Sequence, residues 1–127
     1  MITINIEDHI TPGLVDLADH FEHLPMEEIA GVMVASVHEN FEAEGRPDPW
    51  EPRKDDNPWP ILNKTGALKN SIESMVSGNE ITVYAGFYGQ FHDEGTTRLP
   101  ARPFLLLQDE DMAEIEEILD QHLGMYL

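Results

Sequence analysis

Cysteine is absent from the 127 residues, so no disulfide framework, thiolate zinc site or cysteine nucleophile is available. Positive charge is scarce: seven Lys and Arg stand against 25 Asp and Glu, for a formal net charge of -18. None of the seven lies in residues 1–43 or 103–127, which carry nine and seven acidic residues. All the cations fall between Arg46 and Arg102, among nine acidic residues, so a nearly neutral middle separates two acidic ends. That field argues against direct contact with a nucleic-acid backbone, where each phosphate needs a local cation, and against an anionic membrane surface. Long apolar runs are missing too. The start Met1-Ile2-Thr3-Ile4-Asn5-Ile6 has neither the basic region nor the apolar core of a signal peptide, and no window approaches a membrane span. The chain is therefore expected to be made and kept in the cytoplasm.

What is present suits one globular domain over residues 1–127, with 41% apolar residues. Thr3 to Ile6 alternates as a half-buried strand does. Asp8 or Thr11 is placed to cap a helix from Pro12 to Leu24, with Leu14, Leu17, Ala18 and Phe21 on one face. Pro25 opens a second helix, in which Met26, Ile29, Ala30, Met33, Val34, Val37 and Phe41 repeat at three and four residues. Periodicity then stops. Residues 44–60 hold five of the nine prolines and both tryptophans, Trp50 and Trp59, and are expected to form an extended loop. Two tryptophans in such a loop either tuck back on the core or anchor a neighbouring subunit. Asn63 or Thr65 caps a helix through Leu68, Ile72 and Met75, and Ser77-Gly78-Asn79 turns into a strand over Ile81 to Ala85. One helical turn over Phe87 to Glu94, a strand over Leu99 to Leu107 and a helix capped by Asp109, with Met112, Ile115, Leu119 and Leu123 inside, complete the chain. The expected fold is α+β: a small antiparallel sheet, including 81–85 paired with 99–107, covered by two longer amphipathic helices.

Chemistry is sparsely encoded. Gly86-Phe87-Tyr88-Gly89 lacks the further glycine and the lysine of a phosphate loop, and no Gly-x-Ser-x-Gly elbow occurs. Asp16, Asp19, His20 and His23 share one helical face and could ligate a metal, against the plainer reading of a solvated acidic face. His92-Asp93-Glu94 sets an imidazole beside two carboxylates, yet adjacent residues diverge, which favours a histidine bonded across the fold. Arg102, between Pro100 and Pro103, is expected to pack its stem and give its guanidinium to a carboxylate or a backbone carbonyl. No catalytic residue, metal or cofactor is expected.

Three passages together resemble the signature of the phage virion morphogenesis family, the small tail-completion proteins of contractile-tailed and Mu-like phages. Phe41 to Trp50 resembles its F-x-x-x-G-x-P-x-x-W passage, Ile61 to Ile72 its I-L-x-x-T-G-x-L-x-x-S-I element, and Leu99 to Leu105 its I-P-A-R-P-F-L strand. Where members show Tyr-Ala followed by His-Gln and Gly, this chain has Tyr88-Gly89 and His92-Asp93-Glu94-Gly95. The resemblance makes Thr65, Gly66, Leu68, Ser71, Ile72, His92, Gly95, Pro100, Arg102, Pro103 and Phe104 its structural motif. It implies a non-enzymatic part in tail completion or head-tail joining, within the virion and assembled in the host cytoplasm. Its partners would be further copies of itself in a ring and other tail or neck proteins, and the loop suggests Trp50, Trp59, Arg46 and Arg53 as contact residues. Two other readings stand beside it: an acidic DNA mimic of the anti-restriction type, and a small metal-dependent hydrolase using Asp16, His20 and His23.

Overall fold

Ile81 and Val83 alternate with Glu80, Thr82 and Tyr84, which places the two apolar residues on one face of a strand. In the computed structural model, which describes residues 1–9, 24–54, 61–62, 65–86 and 89–124, this segment is β3 (Glu80–Tyr84). It is the centre of a three-stranded antiparallel sheet in the order β1-β3-β2. β1 (Ile2–Asn5) sets Ile2 opposite Val83 and Ile4 opposite Ile81; β2 (Glu73–Ser77) sets Ser74 opposite Val83 and Val76 opposite Ile81. Gly78 and Asn79 form the two-residue turn between β2 and β3.

α1 (Met26–Glu42) covers β2 and β3 with the apolar stripe expected of it, burying Ile29, Ala30, Met33, Val37 and Phe41. Each of these side chains except Ala30 contributes about 1.5–3 kcal/mol of transfer free energy. Two short helices follow, α2 (Ala67–Asn70) and α3 (Gly89–Glu94), then α4 (Asp109–Gly124), which buries Ile115, Leu119 and Leu123 at four-residue spacing. α4 packs beside α1 and against the 3-10 turn Ile6–His9, joining one core that includes Ile81, Val83 and Phe104. The α+β class, the antiparallel sheet and the two longer helices are as the sequence predicts.

Four local expectations are corrected. Leu99 to Leu107 forms no ladder and is irregular, with bends at Leu99 and Leu105. Both edges of β3 are taken by β1 and β2, and Pro100 and Pro103 have no N–H to give. The helix expected through Met75 ends at Asn70, and Glu73–Ser77 is a strand instead, because hairpin pairing across the Gly78 turn outweighs the local helical spacing. The last helix is capped at Gln108 rather than Asp109: the Gln108 N–H donates to Asp111 Oδ2 at 2.7 Å, so the third helical residue reaches back as in a capping box.

The fourth correction concerns the loop, whose first half is built rather than loose. At the end of α1 the Glu44 N–H donates to the Phe41 carbonyl and the Gly45 N–H to the Asn40 carbonyl, the paired bonds of a Schellman motif. Gly45 has φ +112°, and a Cβ there would lie 2.5 Å from the Trp50 nitrogen and 2.6 Å from the Asp48 oxygen. The Trp50 N–H closes the turn on the Glu44 carbonyl at 2.8 Å. Of the other expectations, the helix from Pro12 lies outside the described residues except at Leu24. Asp16, Asp19, His20, His23, Trp59, Asn63 and Tyr88 also lie outside them.

Candidate functional site

The segment around Arg102 is held by side chains from three directions. From α1 comes Asn40, fully buried, whose amide donates to the Phe104 carbonyl at 2.7 Å and the Leu106 carbonyl at 3.1 Å. α3 supplies Asp93, whose Oδ1 accepts the N–H groups of Phe104 and Leu105 at 2.9 and 3.1 Å. The His92 carbonyl accepts the Arg102 N–H at 2.8 Å. On the loop side, Trp50 Nε1 donates to the Pro103 carbonyl at 2.8 Å. The Trp50 ring meets Phe41 edge-on, with centroids 5.7 Å apart, and Phe41 in turn packs on Phe104 at 5.1 Å. A segment that cannot join a ladder thus has backbone groups paired elsewhere.

Arg46 is the pivot of a second cluster. Its Nε donates to Asn40 Oδ1 at 2.8 Å, and its Nη2 to the Ser36 carbonyl and hydroxyl at 2.8 and 2.9 Å. Its Nη1 pairs with Glu39 at 2.9 Å and faces Glu110 at 3.6 Å. The Ser36 hydroxyl donates to Asp111 Oδ2, the oxygen that also caps α4, and Gln108 Nε2 returns to the Arg46 carbonyl at 3.3 Å. Ser36 and Asn40 stand four apart on the buried face of α1, so one helical stripe presents both polar groups to the same guanidinium. Beside the cluster an open groove of about 420 Å³ runs between α1 and α4, lined by Glu28, Gly31, Val32, Ala35, Ser36, Glu39, Asp111 and Glu114.

These contacts place the expected contact and motif residues. Trp50 is tucked into the core, 5% exposed, Arg46 is engaged in the cluster, and Arg53 is half-buried. Arg102 gives its guanidinium to backbone carbonyls, Nε to Glu51 at 3.0 Å and Nη2 to Pro52 at 3.4 Å. In the upstream element Thr65 Oγ1 accepts the Ala67 N–H at 3.2 Å, Gly66 has φ +78°, and Leu68 packs against the core. The Ser71 hydroxyl donates to the Leu68 carbonyl at 2.6 Å and accepts the Gly86 N–H at 2.9 Å; Ile72 is buried. Gly95, at φ +79°, lets the chain pass the Ala101 nitrogen, which would lie 2.8 Å from an added Cβ. Pro100 is half-buried, Pro103 exposed and Phe104 fully buried.

His92 binds across the fold through its carbonyl, while its imidazole is held below its ordinary pKa, first by desolvation and then by the nearby Arg102 charge. The cross-fold side-chain link is made by its neighbour Asp93. Reading the motif alone missed Asp93, Ser36, Asn40, Gln108 and Asp111. For Ser36 and Asn40 the available signal was two polar residues inside an otherwise apolar stripe. Among the described residues no group of His, Asp and Glu could hold a metal ion, and no described helix is long and apolar enough to cross a membrane.

Comparison with known proteins adds a second line of observation. The sequence profile of the phage virion morphogenesis family matches residues 12–124. The chain is 35% identical to "Mu-like prophage FluMu G protein 2" of Haemophilus influenzae over 136 aligned positions, covering 99% of this chain and 97% of that protein. It is also 32% identical to "Mu-like prophage FluMu G protein 1" of the same organism over 111 positions, 76% of each chain. No solved structure matches.

Proposed function

The chain belongs to the phage virion morphogenesis family, a structural and generally non-enzymatic one, and from that premise we propose that it is a non-enzymatic virion part acting in tail completion or head-tail joining. In this reading it is encoded by a Mu-like phage or prophage, assembles in the bacterial cytoplasm and stays in the particle. Its partners are further copies of itself, arranged in a ring, and neighbouring tail or neck proteins. The observation that carries the proposal is the family match over residues 12–124, which takes in both fastened segments. What the fold contributes is a fixed presentation. Trp50 and Arg102 use their polar groups to fasten residues 44–54 and 99–107 to each other, and Arg46 fastens the first of them to α1, so that surface is ordered before any neighbour arrives and association costs less entropy.

The test is an in-frame deletion of the gene in an inducible lysogen that carries it. Lysates should then hold separate heads and tails by electron microscopy and few infectious particles, with both defects repaired by the gene supplied in trans. Mass spectrometry of purified virions should find the chain. Normal particle yield from the deletion, or virions free of the chain, would refute the proposal.

A further inference from the structure

Among the described residues the sheet ends at β2. The Ile6 N–H donates to the Asn79 carbonyl at 2.7 Å, so Asn79 and, by alternation, Ile81 and Val83 turn their backbone groups toward β1, leaving Glu80, Thr82 and Tyr84 to bond β2. Their partners on β2 are Ser77, Met75 and Glu73. The N–H and C=O groups of Ser74 and Val76 therefore point away from the sheet, and no described residue takes them. Natural edge strands are guarded by charged side chains, lysine above all, by proline or by a bulge. Glu73-Ser74-Met75-Val76-Ser77 has no lysine, proline or bulge, and its one charge, Glu73, stands at its first position; four of its five residues are exposed, and Met75 is 55% exposed.

We propose that β2 pairs with β2 of a second copy of this chain, antiparallel about Met75, to make a continuous six-stranded sheet. This register sets Ser74 of each copy opposite Val76 of the other, so all four outward N–H groups meet all four outward carbonyls. Met75 falls on the two-fold axis at a position without hydrogen bonds, where Cβ atoms of facing residues approach to about 4.5–5.5 Å, and its exposed side chain gains an apolar neighbour. Glu73, the only charge on the strand, faces Ser77. A parallel arrangement would instead set Glu73 beside its own copy, which is repulsive. Self-complementarity of bonds, apolar contact and charge in a single register is what selects a second copy as occupant. The net charge of -18 on each chain opposes the pair, so salt strengthens it by screening. The contact closes on itself and holds two chains; a ring requires a different, heterologous surface.

The test is sedimentation of the full chain over a concentration series at low and high salt, with three kinds of variant. Wild-type mass should rise from 14.4 kDa toward twice that value, more readily at high salt. Ser74→Pro removes an N–H that serves no bond within the chain, and Met75→Lys sets two ammonium groups against each other; both should stay monomeric with wild-type circular dichroism. Because the chain has no cysteine, Met75→Cys supplies a single thiol that should cross-link to its copy under diamide. Ser77→Cys, about 14 Å from its copy in this register, should not. A wild type that stays monomeric at high salt and high concentration overturns the pairing. So does a Met75→Lys chain that associates like wild type, or equal cross-linking of the two cysteine variants. If wild type instead binds a strand from another virion protein through β2, a second copy is the wrong occupant. The virion role is judged by particle assembly, so any of these results removes the β2 pair and leaves that role standing.

Discussion

Truncating Asn40 to alanine tests the hub directly. Its amide is fully buried and serves three partners: the carbonyls of Phe104 and Leu106 and the guanidinium of Arg46. The Phe104 carbonyl would be left inside the core without a donor, at about 1–3 kcal/mol. The Leu106 carbonyl and Arg46 Nε lie nearer solvent and recover water, so each loses about 0.5–1.5 kcal/mol. Together the loss is about 2–6 kcal/mol, a large share of the 5–15 kcal/mol typical of a domain. Urea unfolding followed by circular dichroism would read it as a fall of about 2 M in midpoint at an unchanged slope. A double-mutant cycle with Arg46→Ala should return a coupling of about 1–2 kcal/mol. A loss below 1 kcal/mol for Asn40→Ala, or strictly additive single mutations, would refute the claim that this amide holds the segment around Phe104.

Gly45→Ala forces a Cβ against the backbone of Trp50 and Asp48 at a positive φ, and thermal unfolding should show a loss of about 2–4 kcal/mol. Arg102→Ala removes bonds to the Glu51 and Pro52 carbonyls that are exposed to water, so global stability should fall by only about 0.5–1.5 kcal/mol. Trypsin should nevertheless cut faster after Arg53 and Lys54, and unchanged digestion would show that Arg102 does not restrain the loop. His92 has a folded pKa below its unfolded value, first through burial, so the unfolded chain takes up its proton first as the pH falls. The stability linked to neutral His92 is complete above the unfolded pKa of about 6.5 and is lost progressively below it. The stability difference between wild type and His92→Gln should therefore shrink from pH 8 to pH 5; a pH-independent difference would contradict the burial.

The sheet centre and the longer helices were legible because each is specified locally. Ile81 and Val83 alternate, α1 repeats at three and four residues, and Ile115, Leu119 and Leu123 follow at four. The failures share a different cause. Met75 fits the helical spacing from Leu68 and Ile72, but the bonds that place it in β2 come from β3 across the turn. Leu99 to Leu107 has the composition of a strand, yet whether it finds an edge depends on which strands already occupy β3. Proline at 100 and 103 hinted at the answer. The Asn40 and Asp93 that replace a ladder stand 64 and 11 residues from Phe104 in sequence, and no local pattern links them. The resemblance identified the residues around Arg102 as a unit without showing what grips them.

The segregation of charge along the chain acquires a physical meaning at Arg46. Residues 1–43 and 103–127 have no cation of the Lys or Arg type, and from them come α1 and α4, the helices that lie side by side. Two such acidic faces repel, and α4 adds Asp109, Glu110 and Asp111 within its first turn. That first turn also gains from its position, because carboxylates suit the positive end of the helix dipole. Toward α1 they still need an opposing charge. The nearly neutral middle supplies it: the Schellman turn at Glu44 and Gly45 reverses the chain so that Arg46 returns along α1, only 18% exposed, between Glu39 and Glu110. An exposed ion pair of this kind would be worth little. Arg46 contributes more because the same guanidinium also bonds Asn40 and Ser36 inside the cluster. Its charge is therefore held where the two helices converge, and the turn that directs the loop is also what allows the acidic ends of the chain to pack together.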